Sequence, residues 1–290
     1  GHNVYPPSHQ GITDDFLSCY EKDCRAFVTK RRNHPSVIMW SIGNEIDYPN
    51  DPYCSPKFKE MTGNNDASKP AAERQYNPNH PDISQIRGIA KMLSREIKKW
   101  DITRPVTMAL AFPELSIDTG VTDFLDVIGY NYKEQFYEKD HKRFPEKAIL
   151  GSENHHSLEA WNAVKENDFI AGQFLWTGVD YLGEAKGWPV HGSPAGLLTM
   201  AGFEKPLYYF RKALWTEEET VKIFSAKKGE ENFLESWNYL KEESIVVRAY
   251  TNAKEVELFL NGKTLGRKST DGKYFVDFDI KFQPGELIAV

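Results

Sequence analysis

Apolar residues recur along this chain with two different rhythms, and the change between them divides it in two. After Thr13, Phe16, Tyr20, Cys24 and Phe27 recur at i+4 and i+3, which predicts an amphipathic helix capped by Thr13. Val37–Gly43 is then a nearly continuous apolar run of strand length. Runs apolar on both faces suit parallel strands covered by helices. Tyr48 to Pro81 is polar, without periodicity and with many Asn and Pro, so a long functional or mobile loop is expected there. Asp82 is the predicted cap of a second helix, with Ile86, Ile89, Leu93, Ile97 and Trp100 along one face. Asp101–Pro105 turns into a strand, Val106–Leu110, and Val127–Tyr130 and Lys147–Gly151 read as two more. Leu158, Trp161 and Val164 mark a helix, Phe169–Trp176 the last strand of this kind, and Pro206–Trp215 the last helix. Repeated βα order predicts a parallel sheet or barrel.

From about Thr220 the rhythm becomes alternating. Ile245–Thr251, Val256–Leu260 and Phe275–Phe282 each alternate apolar and polar positions, and Asn261-Gly262 is a strong hairpin signal. The expected organisation is an α/β domain over residues 1–218 followed by an all-β, immunoglobulin-like sandwich over residues 219–290.

Composition narrows the function classes. Among 290 residues, 36 Lys and Arg stand against 42 Asp and Glu, a net charge of −6. That balance lacks the basic footprint needed to neutralise phosphate backbones, which argues against a nucleic-acid partner. No apolar run approaches the roughly eighteen residues of a membrane span. Three cysteines, Cys19, Cys24 and Cys54, cannot form a disulfide framework, although one bridge stays open. The chain starts at Gly1 with no signal or transit peptide and ends in the strand-like Leu287–Val290, so both ends are expected to continue into a longer protein.

Two βα units carry the candidate chemistry. Val37–Gly43 runs directly into Asn44-Glu45, and Ala148–Ser152 runs into Glu153. In a (β/α)₈ barrel, polar residues at the C-terminal strand ends face the active-site mouth. Two carboxylates across one mouth suit glycosidic cleavage, which needs a proton donor and a nucleophile or base. A lone Glu in such a place is most often a solvated loop residue; two of them closing two apolar strands favour the functional reading.

The run Arg32–Glu45, RNHPSVIMWSIGNE, closely resembles the acid/base signature of glycoside hydrolase family 2, which includes β-galactosidases, β-glucuronidases and β-mannosidases. The resemblance continues through Gly151-Ser152-Glu153, Gly172–Trp176 and Gly202–Pro206, and so covers essentially the whole chain. It implies the C-terminal part of a TIM barrel, strands four to eight, with strands one to three and the usual N-terminal sandwich domains belonging to the part of the enzyme outside this chain. It further implies Glu45 as acid/base and Glu153 as nucleophile of a retaining mechanism. Glu45 must hold a proton at the start of each cycle, which the negative charge of Glu153 nearby favours. Asn44 resembles the residue that hydrogen-bonds the sugar 2-hydroxyl. Tyr132 matches the tyrosine that orients the nucleophile, with Tyr130 as the neighbouring candidate. Trp176 matches an aromatic platform under the sugar ring.

Other residues carry weaker readings. His34 precedes its strand and reads as structural. His155 and His156 either reach the sugar or cap the next helix. Asp180, Glu184, Trp188 and His191 lie in the loop after the last barrel strand, and Tyr53 and Tyr76 are candidates for outer sugar subsites. Family β-glucuronidases carry an Asn-x-Lys motif in that loop; Gly178–Pro206 contains none, so β-galactosidase leads, with β-glucuronidase and β-mannosidase as alternatives. The expected partner is a carbohydrate substrate. No cofactor is expected, because the Glu-x-His pair that helps hold magnesium in some members would lie outside this chain. A homo-oligomer is left open, and the analogy implies a periplasmic or secreted bacterial protein. From another function class, half a barrel with unpaired edge strands is also compatible with an inactive carbohydrate-binding or structural piece.

Overall fold

The computed structural model describes residues 13–47, 54–59, 78–79, 81–185 and 187–290. Tyr53 and Tyr76 lie outside the described residues. Contacts divide the chain into two compact units, Gly1–Leu175 and Trp176–Val290.

The first unit is built on five parallel strands, β1 (Trp40–Asn44), β2 (Val106–Leu110), β3 (Val127–Asn131), β4 (Ala148–Asn154) and β5 (Ile170–Leu175), neighbouring one another in chain order. Helices α1 (Thr13–Arg31), α2 (Gln85–Trp100), α3 (Pro113–Asp118), α4 (Tyr137–Arg143) and α5 (Leu158–Lys165) connect and cover them. Every residue of β2 and β3 is buried, which is why these strands read as unbroken apolar runs rather than alternating ones. Ile86 of α2, Met108 and Leu110 of β2, Ile128 of β3 and Ile149 of β4 meet in one core. Parallel strands in sequential order with connecting helices form part of a TIM barrel.

Local chemistry sets the strand boundaries. β1 begins at Trp40 rather than at Val37, because Val37 O is taken by Arg104 Nε at 2.6 Å instead of by a ladder partner. The turn before β2 is organised by Asp101, buried at the C-cap of α2. Its carboxylate accepts from Thr103 N (2.9 Å), Thr103 Oγ1 (2.6 Å), Arg104 Nη1 (2.7 Å) and Trp40 Nε1 (3.0 Å). Burial disfavours its charge, but those donors outweigh the burial and hold the carboxyl well below the usual carboxylate range. Asp82 lies two residues before the α2 N-cap, Ser84, and its Oδ1 accepts the Ser84 N–H at 2.9 Å. Within the segment expected to be irregular, Cys54 bridges to Asp82 and Pro56–Lys59 forms a 3₁₀ turn.

The second unit opens with a loop that bonds to itself. Asp180 Oδ1 accepts from Gly196 N and Lys205 Nζ, both at 2.8 Å, and Lys205 Nζ also donates to Pro194 O at 2.7 Å. A Cβ on Gly196 would fall 2.2 Å from Asp180 N, so this close backbone approach requires glycine. After α6 (Pro206–Trp215) come β8 (Val221–Lys227), β9 (Ser244–Thr251), β10 (Glu255–Leu260), β11 (Lys263–Ser269), β12 (Phe275–Lys281) and β13 (Leu287–Ala289), with the short pair β6 (Tyr181–Leu182) and β7 (Gly192–Ser193) in the loop. Two antiparallel sheets, β11-β10-β13 and β12-β9-β8, share a core of Ile245, Val247, Val256, Leu258 and Phe278. This is the β-sandwich that the alternating pattern predicts. Asn261 and Gly262 both adopt positive φ, 52° and 75°, as their hairpin turn demands.

The compact boundary falls at Leu175, earlier than the 218/219 division expected from the change of rhythm. The reason is that β5 ends the parallel sheet, and the segment behind it bonds internally through Thr177–Ala195, Asp180–Leu198 and Lys205–Leu197 backbone pairs. Phe210 of α6 then packs on Tyr250 of β9.

Candidate active site

The C-terminal ends of β1, β3 and β4 converge on two carboxylates. Asn44 closes β1, and Glu45 follows it in the left-handed region at φ 53°, its N–H donating to Ala109 O at 2.9 Å. A non-glycine residue there needs surrounding structure to hold it. Two residues on, Asp47 is fully buried and accepts from Ala111 N (3.0 Å), Phe112 N (2.9 Å) and Ser116 Oγ (2.8 Å). Burial pushes its carboxyl upward while these three donors oppose the shift. The anchored Asp47 fixes the path of the chain leaving Glu45.

Across the sheet, Tyr132 follows β3 at φ 54°, and its N–H donates to Glu153 O at 2.8 Å. The ladder shifts register between Tyr130 and Asn131, which sets Asn131 opposite Glu153. Glu153 lies within β4 rather than beyond it. The Tyr132 hydroxyl donates to Glu153 Oε1 at 2.5 Å, and the exposed His155 ring lies 4.4 Å from the Tyr132 ring.

Asn131 joins the two sides. Its Nδ2 lies 3.0 Å from Asn44 Oδ1, 3.2 Å from Glu45 Oε1 and 3.2 Å from Glu153 Oε2. The two carboxylate oxygens are therefore no farther apart than twice 3.2 Å. Ser152 Oγ donates to Asn131 Oδ1 at 2.8 Å, which turns the amide N–H groups toward the carboxylates. Sequence reasoning missed Asn131. Its signal was the same as that of Glu45 and Glu153, a polar residue at the end of an apolar strand.

Two acidic groups held this close at the mouth end of parallel strands can divide the work of proton donor and nucleophile. Residues 7–183 match the family model described as "Glycosyl hydrolases family 2, TIM barrel domain". This chain belongs to glycoside hydrolase family 2. Residues 242–290 match a domain of unknown function. A curated relative, Beta-galactosidase BoGH2A of Bacteroides ovatus, is 29% identical over 327 residues, covering 94% of this chain and 36% of the relative. A putative beta-glucuronidase of Formosa agariphila is 27% identical over 279 residues, 87% of this chain and 26% of the relative. A crystal structure of a glycosyl hydrolase family 2 member from Bacteroides cellulosilyticus has a TM-score of 0.81 at 28% identity, covering 100% of this chain and 38% of that one. The chain thus spans about a third of the length of the relatives it matches.

Of the family positions expected from sequence, Asn44, Glu45, Tyr132 and Glu153 come together, and His155 lies against the Tyr132 ring. Tyr130 does not join them. It is fully buried, its hydroxyl donates to Asp140 Oδ2 at 3.0 Å, and its ring packs edge-on against Tyr137. Burial and the Asp140 carboxylate push its phenol far above its ordinary value. Trp176 is the residue after β5 and falls in the second unit, where its exposed ring meets Tyr181 edge-on at 5.6 Å. Asp180 is engaged by Lys205, and Glu184 accepts from the Tyr181 hydroxyl. Trp188 is 90% exposed, with His191 6.1 Å away. Among the described residues, no three His, Cys, Asp or Glu side chains gather as a metal site.

Proposed function

We propose that the protein carrying this chain is a retaining exo-β-galactosidase that removes terminal β-galactosyl residues from oligo- or polysaccharides. The observation that carries the reading is the Asn131 bridge, which brings Glu45 and Glu153 oxygens within twice 3.2 Å. Retaining enzymes hold their carboxyl groups about 5–5.5 Å apart, and inverting ones about 6.5–9.5 Å. In the first step Glu153 attacks the anomeric carbon while Glu45 gives its proton to the departing glycosidic oxygen. In the second, Glu45 takes a proton from water, whose oxygen displaces Glu153 from the same carbon. Tyr132 holds one oxygen of Glu153, leaving the other to face Asn131. Asn44 supplies an amide for the sugar 2-hydroxyl, and His155 is a candidate for sugar contact.

Galactose is favoured by the relative from Bacteroides ovatus and by the lack of an Asn-x-Lys motif in Gly178–Pro206. The second reading, β-glucuronidase, is supported by the names of other relatives. In a protein carrying the whole barrel, a 2-deoxy-2-fluoro-β-galactosyl inactivator is expected to add one fluorosugar, mapped by peptide mass to Glu153. Glu153→Gln should abolish both adduct and turnover. Adduct formation with the glucuronyl analogue alone would move the assignment to β-glucuronidase, and full turnover by Glu153→Gln would end the nucleophile assignment.

A further inference from the structure

We infer that Asn131 is a positioning residue that holds Glu45 and Glu153 in one register and redistributes its hydrogen bonds between them as charge moves through the cycle. The inference rests on the acid/base and nucleophile roles proposed above. Three observations carry it. Asn131 is 1% exposed, so its amide must satisfy its hydrogen bonds within the protein. Ser152 Oγ, at 2.8 Å, occupies its carbonyl oxygen and so fixes which way the amide faces. Its nitrogen then has two hydrogens for three acceptors, Asn44 Oδ1, Glu45 Oε1 and Glu153 Oε2, all between 3.0 and 3.2 Å.

Two donors cannot serve three acceptors fully, so their distribution depends on where the negative charge sits. Hydrogen bonds to ionised acceptors are roughly twice as strong as neutral ones. Before reaction Glu153 is the ionised member, and Asn131 favours Glu153 and Asn44. Once Glu153 is esterified and Glu45 has given up its proton, the charge is on Glu45 and the donors follow it. A neutral amide does this without changing its own ionisation. Tyr132 and, against its ring, His155 are ionisable groups on the Glu153 side, and the buried Asp47 lies two residues beyond Glu45.

The test is the pH dependence of kcat/KM in a protein carrying the whole barrel, for wild type, Asn131→Ala and Ser152→Ala. A donor to a carboxylate favours its charged form. Removing it should move both the acidic and the alkaline limb upward by about one pH unit in Asn131→Ala. Ser152→Ala, which releases the amide without removing it, should shift both limbs the same way by less. A fall in kcat with both limbs unmoved would show a merely structural side chain and overturn the inference. If Asn131→Ala lacks a cooperative unfolding transition, Ser152→Ala decides alone, and unmoved limbs again overturn it. Fluorosugar labelling separates this outcome from failure of the mechanism. Glu153 still labelled with unmoved limbs rejects only the role of Asn131, whereas a label elsewhere rejects the nucleophile assignment itself.

Discussion

The Glu153 carboxylate is held on both oxygens, by the Tyr132 hydroxyl on Oε1 and by Asn131 on Oε2. In the mechanism proposed above, attack on an anomeric carbon requires one of these oxygens to face the sugar along a narrow path, so restraining the other restrains the reacting one. A hydrogen bond to a charged group contributes about 1.5–3 kcal/mol, equivalent to about 10- to 100-fold in rate. Tyr132→Phe is therefore expected to lower kcat/KM and the rate of fluorosugar inactivation together, by about that factor, with thermal stability little changed because the ring and its His155 contact remain. Parallel measurement of the two rates decides it. Loss of turnover without slower inactivation would place the role of Tyr132 in the second, hydrolytic step. At this scale the sequence was legible where a residue type is rare in its position. Glutamates closing apolar strands stood out, whereas Asn131, in the same kind of position at the end of β3, was passed over because asparagine at a strand end is also the ordinary residue of a turn. The choice between Tyr130 and Tyr132 was equally closed to pattern reading. With every position of β3 buried, alternation carries no information about which tyrosine faces the carboxylates.

The elements that carry these side chains are held at their ends as much as along their ladders. Asp101 joins the C-terminus of α2 to Trp40 at the start of β1, and Asp47 joins the chain after Glu45 to the start of α3. Strands β2 and β3 were readable because burial on both faces writes an unbroken apolar run. The start of β1 was not, since the Arg104 side chain takes the Val37 carbonyl. Asp101→Ala removes the acceptor for a buried indole N–H and for Arg104, and should destabilise the first unit by about 2–3 kcal/mol. Urea unfolding followed by tryptophan fluorescence measures it. The pH dependence has a definite sign. The Asp101 carboxyl is depressed in the folded state, so its contribution is complete above its unfolded value of about 3.9 and is lost as pH falls further. Wild type should therefore lose stability more steeply than Asp101→Ala below about pH 4, and equal slopes would show that Asp101 is not the anchor.

Among the described residues of the first unit, the five-strand sheet has β1 and β5 at its edges, and beside β1 lies a cavity of about 430 Å³ whose lining includes Cys24, Phe27, Ile42 and Leu93 together with Asp23 and Ser41. Unpaired backbone groups beside apolar side chains invite further strand pairing. A TIM barrel satisfies such edges by closing on itself. Asn131 brings the two carboxylates together among β1, β3 and β4; under the function proposed above, a sugar must in addition be enclosed to exclude water and be oriented, which calls for closure. The 290 residues expressed by themselves are accordingly expected to bind an apolar dye such as ANS and to show turnover of an aryl β-galactoside at least about 100-fold below that of the closed barrel. Supplying the remaining strands, covalently or as a separate chain, should suppress the dye signal and restore turnover in parallel. Full activity of the 290 residues without dye binding would mean that this part of the fold closes its own edges and that the site needs nothing beyond it.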